Sequence, residues 1–320
     1  MLQAEYMRRM MRERESILVI FMVLFLLVVL ITTPSFFQLQ DISSLLGNMG
    51  TLGIIALGET VVMVCRGIDL SVGGIMGLTA LVTGNMVLHH VAGPVVVLAA
   101  LSIGLVTGVA NGFLVSVLRI PAIIATLGTM NILFGLMFIV TQGNWVNNVS
   151  WGLFGGAALG FPAPVYYMVA ILVVLQIFHT VYPVGRYFYA VGDNPDTARL
   201  LGIRTRAVEY SSYMISGLLA GVAGLITICY LGFATPTTGS NMNLQAIAAA
   251  VIGGANVFGG KGTPLGTILG ALFISIITSA LVFFHLPSIW SDAGEGALIL
   301  IALIADAKFA TVKVRGVQSI

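Results

Sequence analysis

The sequence predicts an all-α polytopic membrane protein of about ten transmembrane helices, and three observations carry that prediction. The 320 residues are 58% hydrophobic and only 8% charged, with a mean hydropathy of +1.04, which lies outside the range of soluble domains. Apolar runs able to cross a hydrocarbon core of roughly 30 Å recur along the whole chain. Basic residues gather in every second connection, the charge signature of alternating membrane sides. One transmembrane domain over 1–320 accounts for all three, with tails at 1–15 and 307–320.

The first span, 16–33, follows Arg8, Arg9, Arg12 and Arg14. No A-x-A-like cleavage site comes after it, so it reads as a retained helix and not as a secretory signal. Further spans are expected at 45–65, 71–88, 94–117, 122–140, 164–181, 209–231, 244–258, 264–285 and 294–306. The eighth is short and glycine-rich, which suits a partial or re-entrant helix. With a cytoplasmic N-terminus, this order puts the first tail, 66–70, 118–121, 182–208, 259–263 and the last tail inside. All fourteen Lys and Arg residues then lie there, and both termini are cytoplasmic. The opposite side, at 34–41, His89-His90, 141–162, 232–243 and 286–292, is almost uncharged; Trp145 and Trp151 suit either an interfacial aromatic belt or a partner contact.

Glycine spacing is the strongest packing signal. Gly104, Gly108 and Gly112, and again Gly262, Gly266 and Gly270, repeat every fourth residue; Gly73 with Gly77 and Gly217 with Gly221 are shorter cases. Such strips let helix backbones approach closely and gain dispersion contact. GIDLSVGGIMGL from Gly67 also weakly echoes GKGTPLGTILGA from Gly260, as internal repeats in transporters do.

Other function classes fail on their residues. A net charge of +2 is too small to suggest a nucleic-acid partner. Cys65 and Cys229 lie in apolar runs and read as small core side chains. His89, His90, His179 and His285 lack metal-ligand spacing. GGANVFGGKG from Gly253 misses a phosphate loop in register, with Ala255 in place of the first Gly and Gly262 in place of the Ser or Thr. The chain is therefore not read as an enzyme and binds no cofactor of its own.

Polar groups within spans are costly unless they meet a partner or water. Glu59, Asn111, Thr126, Thr129, Asn131 and Gln245 are the candidates to line a translocation path, each with an interhelical hydrogen bond as its plainer role. Glu59 needs a proton, a donor or an aqueous cavity. Asp69 either pairs with Arg66 or caps the third span. A proton-coupled secondary transporter would use Glu59 or Asp69.

The long polar interruption at 182–208 contains a short helix by its local grammar: Asn194 as N-cap, Pro195 first, Asp196 in the first turn, Arg199 near the end and Gly202 as the stop. Read as G-R-x-x-x-A-x-G-D-N-x-x-x-A-R-x-x-G-I from Gly185 to Ile203, it resembles the cytoplasmic coupling loop of ABC-transporter permeases of the ribose and simple-sugar importer family. GIDLSVG at 67–73, IPAIIATLGT at 120–129 and AIAAAVIGGANVFGGKGTPLGTILGA at 246–271 agree with that family, so the likeness runs from about residue 40 to 306.

The resemblance implies a permease subunit in a bacterial inner membrane. It would work with separate cytoplasmic ATP-binding subunits that hold the ATP and Mg, an extracytoplasmic solute-binding protein, and a second permease chain, identical or related. It also implies ATPase coupling through Gly185, Arg186, Asn194, Pro195, Asp196, Ala198, Arg199, Leu200, Leu201 and Gly202, with Ala198, Arg199, Leu200 and Leu201 in contact. WVNNVSWG and LPSIWSDAGEG resemble permeases for autoinducer-type furanose or rhamnose uptake more than ribose ones.

Overall fold

A computed structural model describes residues 18–158 and 160–283, together with 293, 296 and 297. Both tails, the 286–292 connection and, save residues 296 and 297, the expected tenth span lie outside them.

The described chain is helical almost throughout. Its helices are α1 (Leu18–Thr32), α2 (Leu39–Val64), α3 (Val72–Leu88), α4 (Gly93–Gly112, continued by a π turn at Phe113–Val117), α5 (Ala122–Thr141), α6 (Gly152–Gly155), α7 (Ala163–Val181), α8 (Pro183–Asp193), α9 (Pro195–Leu200), α10 (Thr205–Leu231), α11 (Met242–Ile252) and α12 (Pro264–Phe283). Two-residue strands, Ala157–Ala158 and Phe161–Pro162, pair antiparallel between α6 and α7. Helices α2, α4 with its π turn, α5, α7, α10 and α12 are each long and apolar enough to cross a membrane, and α1, α3 and α11 are shorter apolar helices. This is a polytopic helical membrane protein.

Nine of the ten expected spans meet a described apolar helix, six of these long enough to cross a membrane, with differences at their ends. Helices α2 and α10 begin earlier than expected, because the polar first turns at Asp41 and at Thr205–Arg206 are helical. Helix α11 stops at Ile252 because Gly254 takes a left-handed φ of 95°. Helix α8 was not expected. Its signal was legible: Pro183 opens it, and Gly185, Phe188, Val191 and Gly192 form one buried face.

Helix α2 runs through the centre, with residues 49–65 all buried, and packs against α7, α10, α11 and α12. The α4–α10 seam is the glycine strip made physical. A Cβ at Gly104 would overlap the carbonyl oxygen of Gly217, one at Gly108 would crowd that of Tyr213, and one at Gly221 that of Ala100. The second ladder works likewise, since side chains at Gly266 and Gly270 would strike the carbonyls of Gly253 and Ala249. The expected packing role is what the structure shows.

The connections sort into two ends. One end joins the turns after α2 and before α12, the α8–α9 segment and the start of α10. At the other, Val146 bridges Ala234, Val149 N–H donates to Gly232 O at 2.9 Å, and Trp151 lies over Gly93. The described basic loop residues Arg66, Arg119, Arg199, Arg204, Arg206 and Lys261 belong to the first end, where the charge pattern grouped them.

Candidate functional site

Two polar constellations stand out, one exposed and one buried. The exposed one is α9. Asn194 Oδ1 accepts from the N–H groups of Asp196 at 3.1 Å and Thr197 at 3.0 Å, satisfying two donors that a helix start leaves free. Pro195 fills the first position, and Gly202 ends the helix at φ 83°. Asp196 and Arg199 pair at 3.5 Å on the surface, a contact of little energetic weight. Leu200 and Leu201 are 89% and 75% exposed. Beside the helix lies an open basic groove of about 540 Å³, lined by Arg119, Arg199, Gly202, Ile203, Arg204, Thr205 and Arg206.

Helix α8 holds α9 to the body. Gly185 touches the backbone of Phe178, and Phe188 packs edge-on to Phe178 at 5.8 Å. Tyr189 donates its phenol proton to Gly262 O at 3.0 Å. Burial, with the Cys65 thiol adding to it, pushes that phenol up to about 12, so it stays a donor at neutral pH. At the end of α8, Gly192 lies against Val64 O and Gly260 N, and Gly260 N–H donates to Val64 O at 2.9 Å. Three chain segments thus cross there with backbone alone between them.

The buried constellation centres on Asp69, in the turn between α2 and α3. Its Oδ1 accepts from Ser71 N–H at 3.0 Å, Ser71 Oγ at 2.6 Å and Asn111 Nδ2 at 3.4 Å, and its Oδ2 accepts from Ser216 Oγ at 3.0 Å. Asn111 also donates to Ser71 Oγ at 2.7 Å and accepts from Thr129 Oγ1 at 2.7 Å. Glu59 Oε1 accepts from Asp69 N–H at 3.1 Å, while Glu59 Oε2 and the Tyr213 hydroxyl are buried without partners among the described residues. Thr126 Oγ1 accepts from Leu70 N–H at 3.1 Å and donates to Ala122 O at 2.8 Å. One short turn therefore ties α2, α3, α4, α5 and α10 together, with both carboxyl side chains fully buried.

The expected site residues divide accordingly. Glu59, Asn111, Thr126 and Thr129 come together, with their side chains committed to one another or to the turn. Asn131 does not join them. It is exposed on α5 and donates to Leu127 O at 2.9 Å. Gln245 is half-buried on α11, a helix that supplies none of the hydrogen bonds around Asp69 described above. Asp69 does not pair with Arg66, because Arg66 at φ 69° turns outward and donates through Nε to Phe258 O at 3.1 Å; the carboxylate holds the start of α3 instead.

In the loop, Arg186, Asn194, Asp196, Arg199, Leu200, Leu201 and Gly202 are exposed and Pro195 is half-buried. Ala198 is 1% exposed and faces the body, so it is corrected from a partner contact to an internal packing residue. Gly185 is likewise buried, and its part is the close approach of α7 and α8. Ser216 and Ser71 were missed. Serine is common in membrane helices and carries no charge to mark it.

The chain matches, over residues 42–303, the family described as "Branched-chain amino acid transport system / permease component". It is 37% identical over 279 residues to the Autoinducer 2 import system permease protein LsrC of Photorhabdus laumondii, covering 85% of this chain and 83% of that one. The same-named protein of Salmonella typhimurium is 37% identical over 276 residues, with 85% and 80% covered. That of an Enterobacter species is 38% identical over 301 residues, with 93% and 87% covered. No solved structure matches.

Proposed function

The chain belongs to this family of transport-system permease components, and on that premise we propose that it carries autoinducer 2, or a closely related furanose, inward as one membrane subunit of an ABC importer. The relatives' names support the solute. So does the chemistry of the spans, whose polar groups are mostly amides and hydroxyls; an amino-acid cargo calls for countercharges.

The observation that carries the mechanism is α9, a doubly capped helix of six residues that leaves two leucines in water at the basic end of a membrane protein. Exposing Leu200 and Leu201 is costly unless a partner covers them. The partner is a separate ATP-binding subunit, which holds the ATP and Mg. Closure of its dimer presses on α9, and α8 passes the movement through the Gly192 crossing to the end of α2. The basic groove beside α9 suits an acidic rim on that partner.

The finer topology belongs to the same proposal: ten spans, both termini cytoplasmic, in a bacterial inner membrane, with a solute-binding protein on the outer side. A second permease chain faces α5. There Asn131 offers an amide from a largely exposed span, and Gly128 and Gly135 leave open space on either side of it. An amide so placed needs water or a partner. In this state Asn111 and Thr129 bond to each other while Glu59 and Thr126 accept from the backbone of the 67–71 turn, so Asn131 is the group most ready to meet solute.

Leu200→Asp tests the mechanism. Membrane insertion and melting temperature are expected to stay unchanged, while uptake of autoinducer 2 by the co-expressed importer falls at least tenfold. Wild-type uptake by this variant would sink the coupling role. Surface labelling of Asn147→Cys and Thr197→Cys from opposite sides of the membrane checks the topology.

The adjacency of Glu59 and Asp69 favours a second reading, proton coupling. Four donors fixed on Asp69 suit a structural hub better than a group that must repeatedly gain and lose a proton. Collapse of uptake by an uncoupler at constant ATP is the outcome that would restore it.

A further inference from the structure

The turn from Gly253 to Thr263 is left without a role by the coupling reading, yet it is one of the most firmly built segments in the molecule. Asn256 N–H donates to Lys261 O at 2.9 Å and Gly259 N–H to Asn256 O at 2.9 Å, closing the turn on itself. Asn256 Oδ1 accepts from Phe258 N–H at 3.0 Å. Two bonds then fix the turn to the end of α2: Gly260 N–H to Val64 O at 2.9 Å and Arg66 Nε to Phe258 O at 3.1 Å. Gly259 and Gly260 hold left-handed φ values of 87° and 74°, which glycine adopts without strain, and they lie directly on Gly192 and Asp193.

Val257, Phe258 and Lys261 are exposed on this turn, and Phe258 is the most prominent apolar side chain among them. Phe258 is 79% exposed, while its own backbone is bonded on both sides. Arg66, Asp193 and Lys261, all exposed, surround it with charge, an arrangement suited to an aqueous interface and not to hydrocarbon. Asp193, which Gly260 touches, is two residues from Pro195, the first residue of α9. Phe258 and the Leu200–Leu201 pair are therefore offered by one rigid unit at one end of the protein.

We propose that Phe258 is a second docking contact for the same ATP-binding subunit that receives α9. The proposal rests on the coupling reading above. Docking through α9 alone would leave the interface small. A helix of six residues is about 9 Å long, and so small an element supplies only a fraction of the roughly 800 Å² per partner that a stable interface buries. A rigid aromatic in a partner pocket supplies the kind of anchor that dominates binding energy. Two contact points also stop the partner from pivoting about α9, so its stroke reaches the end of α2 by a second route that does not pass through α8.

The test uses the full-length permease co-expressed with its ATP-binding subunit, and compares Phe258→Ala, Phe258→Leu and Leu200→Asp. Because the side chain is exposed, insertion and melting temperature should match wild type. The expected result is at least a tenfold weaker hold on the ATP-binding subunit for Phe258→Ala, with partial recovery in Phe258→Leu. Phe258→Cys should also cross-link to that subunit through a short cysteine-directed reagent; the native Cys65 and Cys229 are buried. If Phe258→Ala binds like wild type while Leu200→Asp does not, the second contact is wrong and the first stands. If both bind like wild type, the coupling reading falls and this inference with it. A spin label at 258 that is reached by a lipid-dissolved quencher in the assembled complex would place Phe258 in the bilayer and overturn the proposal.

Discussion

The turn at Gly67–Ser71 and the helix at Pro195–Leu200 are both short polar interruptions in an apolar chain, and they spend their polar groups in opposite directions. Around Asp69 every donor and nearly every acceptor turns inward, so that one carboxylate gathers hydrogen bonds from α3, α4 and α10. Within α9 Ala198 is the one fully buried side chain; the cap serves the helix itself, and the leucines face out. The contrast teaches that in a membrane chain polarity alone does not mark a contact surface. What marks the contact surface proposed at α9 is polarity used to hold apolar side chains in water.

The contrast can be broken by mutation, beginning with its strongest side. Asp69→Ala strands the donors of Ser71, Asn111 and Ser216 in a dry interior, each at roughly 1–3 kcal/mol. A loss of about 3–5 kcal/mol is expected on that basis, read as a large drop in melting temperature in detergent. Ser216→Ala removes the one donor to Asp69 Oδ2 among the described residues and is expected to cost about 1–2 kcal/mol. On the exposed side, Asn194→Ala loses the cap for about 1 kcal/mol. That loss should be local, seen as faster hydrogen exchange over 195–201 with the global melt unmoved. Leu200→Asp sits at the end of the series, under about 0.5 kcal/mol of stability against a large loss of uptake. Should Leu200→Asp melt like Asp69→Ala, the two regions would not differ in kind.

The two regions also differed in how much of them the sequence disclosed. Helix α9 was readable residue by residue, because an N-cap, a first-turn proline and a terminal glycine act within eight neighbours. The apolar runs likewise located the described helices, whose ends drifted where polar first turns are helical, as at Asp41, or where a left-handed glycine stops the helix, as at Gly254. The hub was not readable as a unit. Glu59, Asn111, Thr126 and Thr129 each announced themselves by their cost in a span, but no local rule says that residues 59, 69, 111, 129 and 216 share one turn. Arg66 misled for the same reason. The nearest charge in sequence was expected to pair with Asp69, whereas a left-handed backbone aims it at Phe258 O. Helix α8 escaped because its arginine and tyrosines made it look like loop, although its buried face repeats at helical spacing.

The crossing of Gly192 over Val64 and Gly260 has a consequence for anyone who would re-engineer this transporter. Because the three strands of chain touch through backbone, without side chains that repack, the 182–208 segment is not an exchangeable cassette. A chimera that imports another permease's loop must carry the 253–263 turn and the end of α2 with it, since these were shaped as mould and cast.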